Sequence, residues 1–191
     1  YSTALHPARS QVYRVNVETG EMKRITQGTG SYSSPTVSND TERMVAGFAN
    51  WSTPNESYVL HGSRQDQLTV SYDPANFAKV NKIKPELVTY KNRHGQTIHA
   101  YMFLPPGFKK EDKRPCMVYT YGGPLGSGNT VEDGKFGSTE YLLNMYLAYA
   151  MGFVTISVDP RGSSGYGAAF GRSNFGHVGE VQNEDLIDCA K

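Results

Sequence analysis

The sequence predicts a mixed fold, with a first half of repeated β-hairpins and a second half of α/β type. Three observations predict it. Short runs that alternate apolar and polar residues, separated by turn-forming residues, fill the chain up to about residue 72. The alternation then breaks between Asp73 and Lys84. Beyond the break, two apolar runs flank a helical stretch, which is the layout of a strand–helix–strand crossover.

In the first half, Val12 to Val17 alternates as a strand, Glu18-Thr19-Gly20-Glu21 turns the chain, and Met22 to Ile25 leads it back. Pro35 to Asp40 and Met44 to Phe48 supply a second strand, turn and strand. Tyr58 to Gly62 opens a third, with a polar turn expected at Arg64 to Gln67 and a return strand at Leu68-Thr69-Val70. Corresponding strands begin roughly 46 residues apart, close to the period of propeller blades. A β-sandwich would give the same short strands, and pattern alone leaves both architectures open. The break carries Asp73-Pro74 and the basic, polar residues Lys79 to Pro85, as a linker would.

In the second half, Glu86 to Tyr90 and Thr97 to Leu104 flank Asn92-Arg93-His94-Gly95, an antiparallel hairpin. Met117 to Tyr121 is a short apolar strand. Ser138 to Met151 is a helix, capped by Ser138 at its start and by Gly152 at its end. Its apolar residues run most of the way round, predicting cover on more than one side. Phe153 to Val158 is a buried strand of the kind found inside parallel sheets. A last helix starts near Gly179, with Glu180, Glu184 and Asp185 suited to its positive end.

Composition excludes several function classes. Lys plus Arg (19) nearly balances Asp plus Glu (18), so no global field recruits nucleic acid or an anionic surface. No apolar run approaches the length of a membrane span. With 13 Tyr and 8 Phe in 191 residues the chain is too apolar to be disordered. Cys116 and Cys189 read as two separate core thiols without metal-ligand spacing. His94 and His99 do not form a helical zinc pair. The low cysteine content fits a cytosolic or a bacterial periplasmic enzyme, with the periplasm or secretion preferred.

Two glycine-rich segments, taken in order, are the most specific signal. They are Met117-Val118-Tyr119-Thr120-Tyr121-Gly122-Gly123-Pro124 and Val158-Asp159-Pro160-Arg161-Gly162-Ser163-Ser164-Gly165-Tyr166-Gly167. They resemble the prolyl oligopeptidase family of serine peptidases, nearest its dipeptidyl peptidase IV and acylaminoacyl peptidase branches. The resemblance extends upstream through Thr19-Gly20-Glu21 and Arg24-Ile25-Thr26. It implies that residues 1–80 are the C-terminal blades of a β-propeller. Residues 81–191 would be the N-terminal part of an α/β-hydrolase catalytic domain, ending before the nucleophile.

The same resemblance implies a serine-type exopeptidase or oligopeptidase that releases short N-terminal peptides and uses no cofactor or metal. Its partners would be short peptide substrates and a remaining catalytic half carrying the Ser, Asp and His triad. Tyr121 is implied as the donor that stabilises the oxyanion, because it directly precedes Gly122-Gly123. Gly122 and Gly123 would let that loop approach the substrate. From the residues alone, Tyr121 reads rather as a packed aromatic before an ordinary turn. Arg161 is expected to pair with an acidic residue near Glu184 and Asp185, rather than to wall the active site.

The departures are as informative. A hydrolase of this type needs Gly-x-Ser-x-Gly at a strand-to-helix elbow. Gly162 to Tyr166 and Gly171 to Phe175 come nearest, and both lack the final glycine. No glutamate pair for a substrate's amine is visible. The chain alone is therefore expected to be inactive. A non-catalytic peptide-binding protein on the same architecture would read identically here. An esterase is disfavoured by the hairpin-rich first half.

Overall fold

The computed structural model describes residues 2–6, 8–80, 82–120, 128–136 and 138–191, with the backbone alone for 2–6. It divides into two compact units: Tyr1–Asn81 with Glu132–Gly137, and Lys82–Val131 with Ser138–Lys191. Residues 132–136 thus fold with the first unit although the sequence around them belongs to the second.

The first unit is built from two antiparallel sheets. One has the order β1 (Ser2–His6), β2 (Arg9–Val15), β3 (Met22–Arg24). The other is a four-stranded meander of β4 (Ser31–Val37), β5 (Met44–Asn50), β6 (Thr53–His61) and β7 (Arg64–Gln67). Val12 of β2 is buried with Tyr32, Met44 and Ala46 of β4 and β5, so one core serves both sheets. The Phe48 ring lies 4.9 Å from Tyr32 and 5.4 Å from Tyr58, filling that core with tilted and edge-on aromatic pairs. Pro35 cannot donate to a ladder, and the pairing slips between Ser33 and Thr36, with Ser34 at φ 47°. Four antiparallel strands in chain order have the make-up of one propeller blade; no ring closure is evident among the described residues.

Two expectations are corrected in this unit. The residues expected as a turn, Arg64 to Gln67, are the return strand, and Leu68 to Val70 lie outside it. Gly62 adopts φ 58°, so Gly62 and Ser63 reverse the chain in two residues and His61 pairs with Arg64. The expected linker contains a helix, α1 (Pro74–Val80). Asp73 caps it by accepting from the Ala75 amide at 2.8 Å, and Pro74 sits at the first helical position, where its missing N–H costs nothing.

Asp133 ties residues 132–136 into this unit. Its carboxylate accepts the Gly30 and Trp51 amides, each at 2.8 Å, while its own amide donates to the Ala8 carbonyl at 2.6 Å. Phe136 packs on Phe77 with ring centroids 4.5 Å apart.

The second unit is a four-stranded sheet covered on both faces. Its strands are β8 (Glu86–Lys91), β9 (Thr97–Phe103), β10 (Cys116–Thr120) and β11 (Val154–Asp159), in the order β10-β11-β9-β8. β10 and β11 pair in parallel, and the other neighbours pair antiparallel. α2 (Thr139–Met151) bridges the parallel pair and lays Tyr141 on Tyr101 and Phe103. α4 (Glu180–Cys189) covers the opposite face, where Leu186 and Cys189 pack on Ile98, Ala100 and Val158. A single turn, α3 (Ala168–Gly171), precedes α4.

The ends of α2 follow the sequence reading. Ser138 accepts from the Tyr141 amide at 3.4 Å, and Gly152 takes a left-handed φ of 74° while its amide donates to the Leu147 carbonyl. Beneath the helix, Asn144 Nδ2 donates to Ser157 Oγ at 2.9 Å and Thr155 Oγ1 donates to the Asn144 carbonyl at 3.1 Å. The cover expected on several sides of α2 is not found among the described residues. Only the Tyr141, Asn144, Met145 and Ala148 face is buried, and Leu143, Tyr146, Tyr149 and Met151 are exposed. Both cysteines are free, but Cys116 is not a core thiol: β10 ends the strand order, which leaves Cys116 exposed.

Candidate active site

The C-terminal ends of β10 and β11 point the same way, because these strands are parallel. In open α/β sheets this edge is where ligands bind. Tyr121, Gly122 and Gly123 follow directly on Thr120, the last residue of β10. All three lie outside the described residues. The described segments that flank them in sequence carry a polar framework.

Asp159 closes β11 and is fully buried. Its Oδ1 accepts the Thr130 amide at 2.6 Å and the Thr130 hydroxyl at 2.8 Å. Its Oδ2 accepts the Val131 amide at 3.0 Å and the Tyr166 hydroxyl at 2.7 Å. A buried carboxylate is tolerable only when its lone pairs are satisfied in this way. His99 stacks on the Tyr166 ring at 5.0 Å. Burial holds the His99 imidazole below its usual pKa, opposed by the Asp159 charge.

Arg161 lies two residues further on. Its amide donates to Asp185 Oδ2 at 2.8 Å, and its Nε donates to Asp185 Oδ1 at 3.0 Å. A second guanidinium nitrogen reaches Glu184 Oε2 at 2.8 Å. Asn92 Nδ2 donates to Asp185 Oδ1 at 2.8 Å, so the β8–β9 hairpin joins the same cluster. At the hairpin tip, Arg93 Nε donates to Asp188 at 3.0 Å and His94 Nε2 meets Glu184 at 3.0 Å. These cations hold Glu184 and Asp188 below the usual carboxylate range; for Glu184 the Arg161 contact is the largest cause, and for Asp188 the Arg93 contact. The sequence expectation for Arg161 therefore matches its contacts.

The loop after β11 is tightly constrained. Gly162 adopts φ 96°, and a Cβ there would lie 2.2 Å from Asn174 Nδ2, so only glycine fits. The Ser164 amide donates to the Gly128 carbonyl at 2.9 Å, which joins this loop to the one after β10. Thr120 Oγ1, Asn129 Nδ2 and Ser163 Oγ, from these same segments, are buried without a hydrogen-bond partner among the described residues.

The described residues do not form a catalytic centre by themselves. No hydrogen bond among them joins a serine hydroxyl to a histidine, since His94 and His177 both meet glutamates. No cluster of His, Cys, Asp and Glu among them could hold a metal. No described helix is long and apolar enough to cross a membrane. Sequence reasoning quoted Asp159 within a motif but gave it no role, because two of its four donors are backbone amides, which carry no side-chain signature.

Comparison with known proteins adds the following. The model of the prolyl oligopeptidase family matches residues 139–191. Dipeptidyl-peptidase 5 of Porphyromonas gingivalis is 26% identical over 188 residues, covering 98% of this chain and 26% of the relative. Dipeptidyl-peptidase 5 of Schizosaccharomyces pombe is 31% identical over 121 residues, covering 63% of this chain and 15% of the relative. Among solved structures, Pyrococcus horikoshii acylaminoacyl peptidase superposes with a TM-score of 0.73 at 21% identity, over 97% of this chain and 27% of that one; this shows a shared fold. The chain spans about a quarter of the length of the first of these relatives.

Proposed function

We propose that the chain is part of a serine peptidase of the prolyl oligopeptidase family, an enzyme that removes short peptides from the N-termini of small peptide substrates, a reading supported by the family match over residues 139–191 and by the similar dipeptidyl-peptidases. In this reading residues 1–80 are the end of a β-propeller that gates access to the site. Residues 81–191 begin the α/β-hydrolase domain. They contribute Tyr121 to the oxyanion hole and no member of the triad. Serine, aspartate and histidine come from the remaining catalytic half.

The chemistry follows from charge development. A serine attacks the scissile carbonyl and its proton passes to histidine, leaving negative charge on the carbonyl oxygen. A hydroxyl already aimed at that oxygen lowers the barrier without reorganising. Tyr121 is that donor, and Gly122 and Gly123 leave room for the substrate backbone. The acyl-enzyme then yields to water. One observation carries the reading: Tyr121-Gly122-Gly123 follows the C-terminal end of a strand that runs parallel to its neighbour. That is where such a loop can face a substrate. The free edge of β10 and the apolar groove lined by Val118, Leu186 and Ile187 support pairing with a further strand of the catalytic half.

The test is steady-state hydrolysis of dipeptidyl chromogenic substrates by the full-length protein and its Tyr121→Phe variant. Turnover is expected to fall about 100-fold or more with unchanged thermal unfolding. Unchanged turnover would end the role of Tyr121. Peptide binding without any hydrolysis by the unmodified protein would favour the non-catalytic binder.

A further inference from the structure

The two sheets of the first unit leave a cleft of about 450 Å³ between β3 and the β6–β7 hairpin, within the size range of small-molecule sites. Arg24 is the last residue of β3 and Arg64 the first of β7, and both line the cleft. No carboxylate among the described residues lines it. Arg24 Nε donates to the Thr26 carbonyl at 2.8 Å and Arg64 Nε donates to Asp66 at 3.0 Å. Neither guanidinium makes another hydrogen bond among the described residues, so the terminal N–H groups of both are left for a ligand. The Tyr32 hydroxyl donates to Gln65 Oε1 at 2.7 Å, which commits that oxygen and leaves Gln65 Nε2 as a further donor. Tyr32 itself is buried, only 4% exposed. Burial pushes its hydroxyl above the usual pKa, against the Gln65 hydrogen bond and the Arg24 charge, so it stays neutral and adds no negative charge. Ile25 and Leu60, both half-buried, give the same cleft an apolar wall.

We propose that this cleft binds a small organic carboxylate, with its anionic head on the Arg24 and Arg64 guanidinium groups and its apolar body against Ile25 and Leu60. Guanidinium groups suit a planar carboxylate because their N–H pairs match its two oxygens. A single negative charge fits better than the two of a phosphate monoester, because Asp66 already offsets part of the Arg64 charge. The cleft is larger than a bare anion needs, and its apolar wall calls for a ligand with an apolar body. Charged residues on sheet edges also discourage strand pairing. That need alone does not bring cations from the edges of two different sheets to one cavity. The C-terminus of a short peptide ending in an apolar residue, and a free aryl or alkyl carboxylate, share the chemistry that the cleft would recognise.

The experiment is isothermal titration calorimetry of the full-length protein with hydrocinnamate, N-acetylphenylalanine, hydrocinnamamide and acetate. The first two are expected to bind, and the uncharged amide and the bodiless acetate to bind about tenfold more weakly or worse. Equal affinity for the first two identifies a free carboxylate as sufficient, and tighter N-acetylphenylalanine identifies the peptide terminus as the source; both support the site. Arg24→Met is expected to weaken hydrocinnamate by about tenfold or more. Asp66→Asn removes the carboxylate that competes for Arg64 and is expected to tighten hydrocinnamate about two- to fivefold. A gain of affinity does not arise from misfolding, so Asp66→Asn carries the test should Arg24→Met not fold. No binding of hydrocinnamate, equal binding of its amide, or an affinity that neither variant changes would overturn the inference.

Discussion

Arg161 and Asp185 form a buried ion pair in which backbone and side chain both take part. The Arg161 amide and Nε each donate to the Asp185 carboxylate, with side chains 8% and 0% exposed. Helix α4 is thereby locked to the loop that leaves β11. Removing one member of such a pair leaves an uncompensated buried charge. Asp185→Ala is expected to cost roughly 3–5 kcal/mol, measured by urea denaturation. Arg161→Met combined with Asp185→Leu should cost less than the two single changes summed. Additive losses would contradict the pairing.

Acid should loosen the clamp between α4 and the β8–β9 hairpin. Glu184 and Asp188 are held below the pKa values they have when unfolded, which lie at about 4.3 and 3.9. A depressed folded pKa gives stability that is present above the unfolded value and is lost as pH falls through the folded one. The urea midpoint is thus expected to be flat from about pH 7 to 5 and to fall below about pH 4. Arg93→Met removes the main partner of Asp188 and should make that fall shallower. An unchanged slope would argue against the clamp.

What the sequence made legible was chiefly local. The caps of α2 could be read because Ser138 and Gly152 act on backbone within one turn of themselves. The pairing of Arg161 with Glu184 and Asp185 spans 23 and 24 residues, and it was legible from complementary charge rather than from local pattern. Asp133 and the amide contacts of Asp159 could not be read, since backbone amides far along the chain have no side-chain signature. Asp133 takes the amides of Gly30 and Trp51, 103 and 82 residues away. Helix α1 was hidden because Asp73-Pro74 fits a chain break and a helix start equally well. The exposure of Cys116 depended on strand order, which no periodicity encodes.

Asp133 gives a prediction of its own. Its side chain is 2% exposed and satisfies two amides of the first unit. Asp133→Ala strands both and should cost about 2–3 kcal/mol in chemical denaturation. A loss under about 0.5 kcal/mol, the level of an ordinary surface substitution, would show that water replaces the carboxylate.

Gly152→Ala should cost about 1–2 kcal/mol, because the residue sits at φ 74°, where a Cβ is strained. The added methyl would also lie 3.2 Å from the Arg114 guanidinium, a flexible end that can move aside. The measurement is the thermal midpoint, and no change would mean that the end of α2 frays.

The most direct test of the account is fluorophosphonate labelling of the full-length protein, with the modified residue mapped by peptide mass spectrometry. One labelled serine is expected, outside residues 1–191 and within Gly-x-Ser-x-Gly, with labelling slowed in the Tyr121→Phe variant. A label on a serine within residues 1–191, or no labelling of a protein that binds peptides, would contradict it.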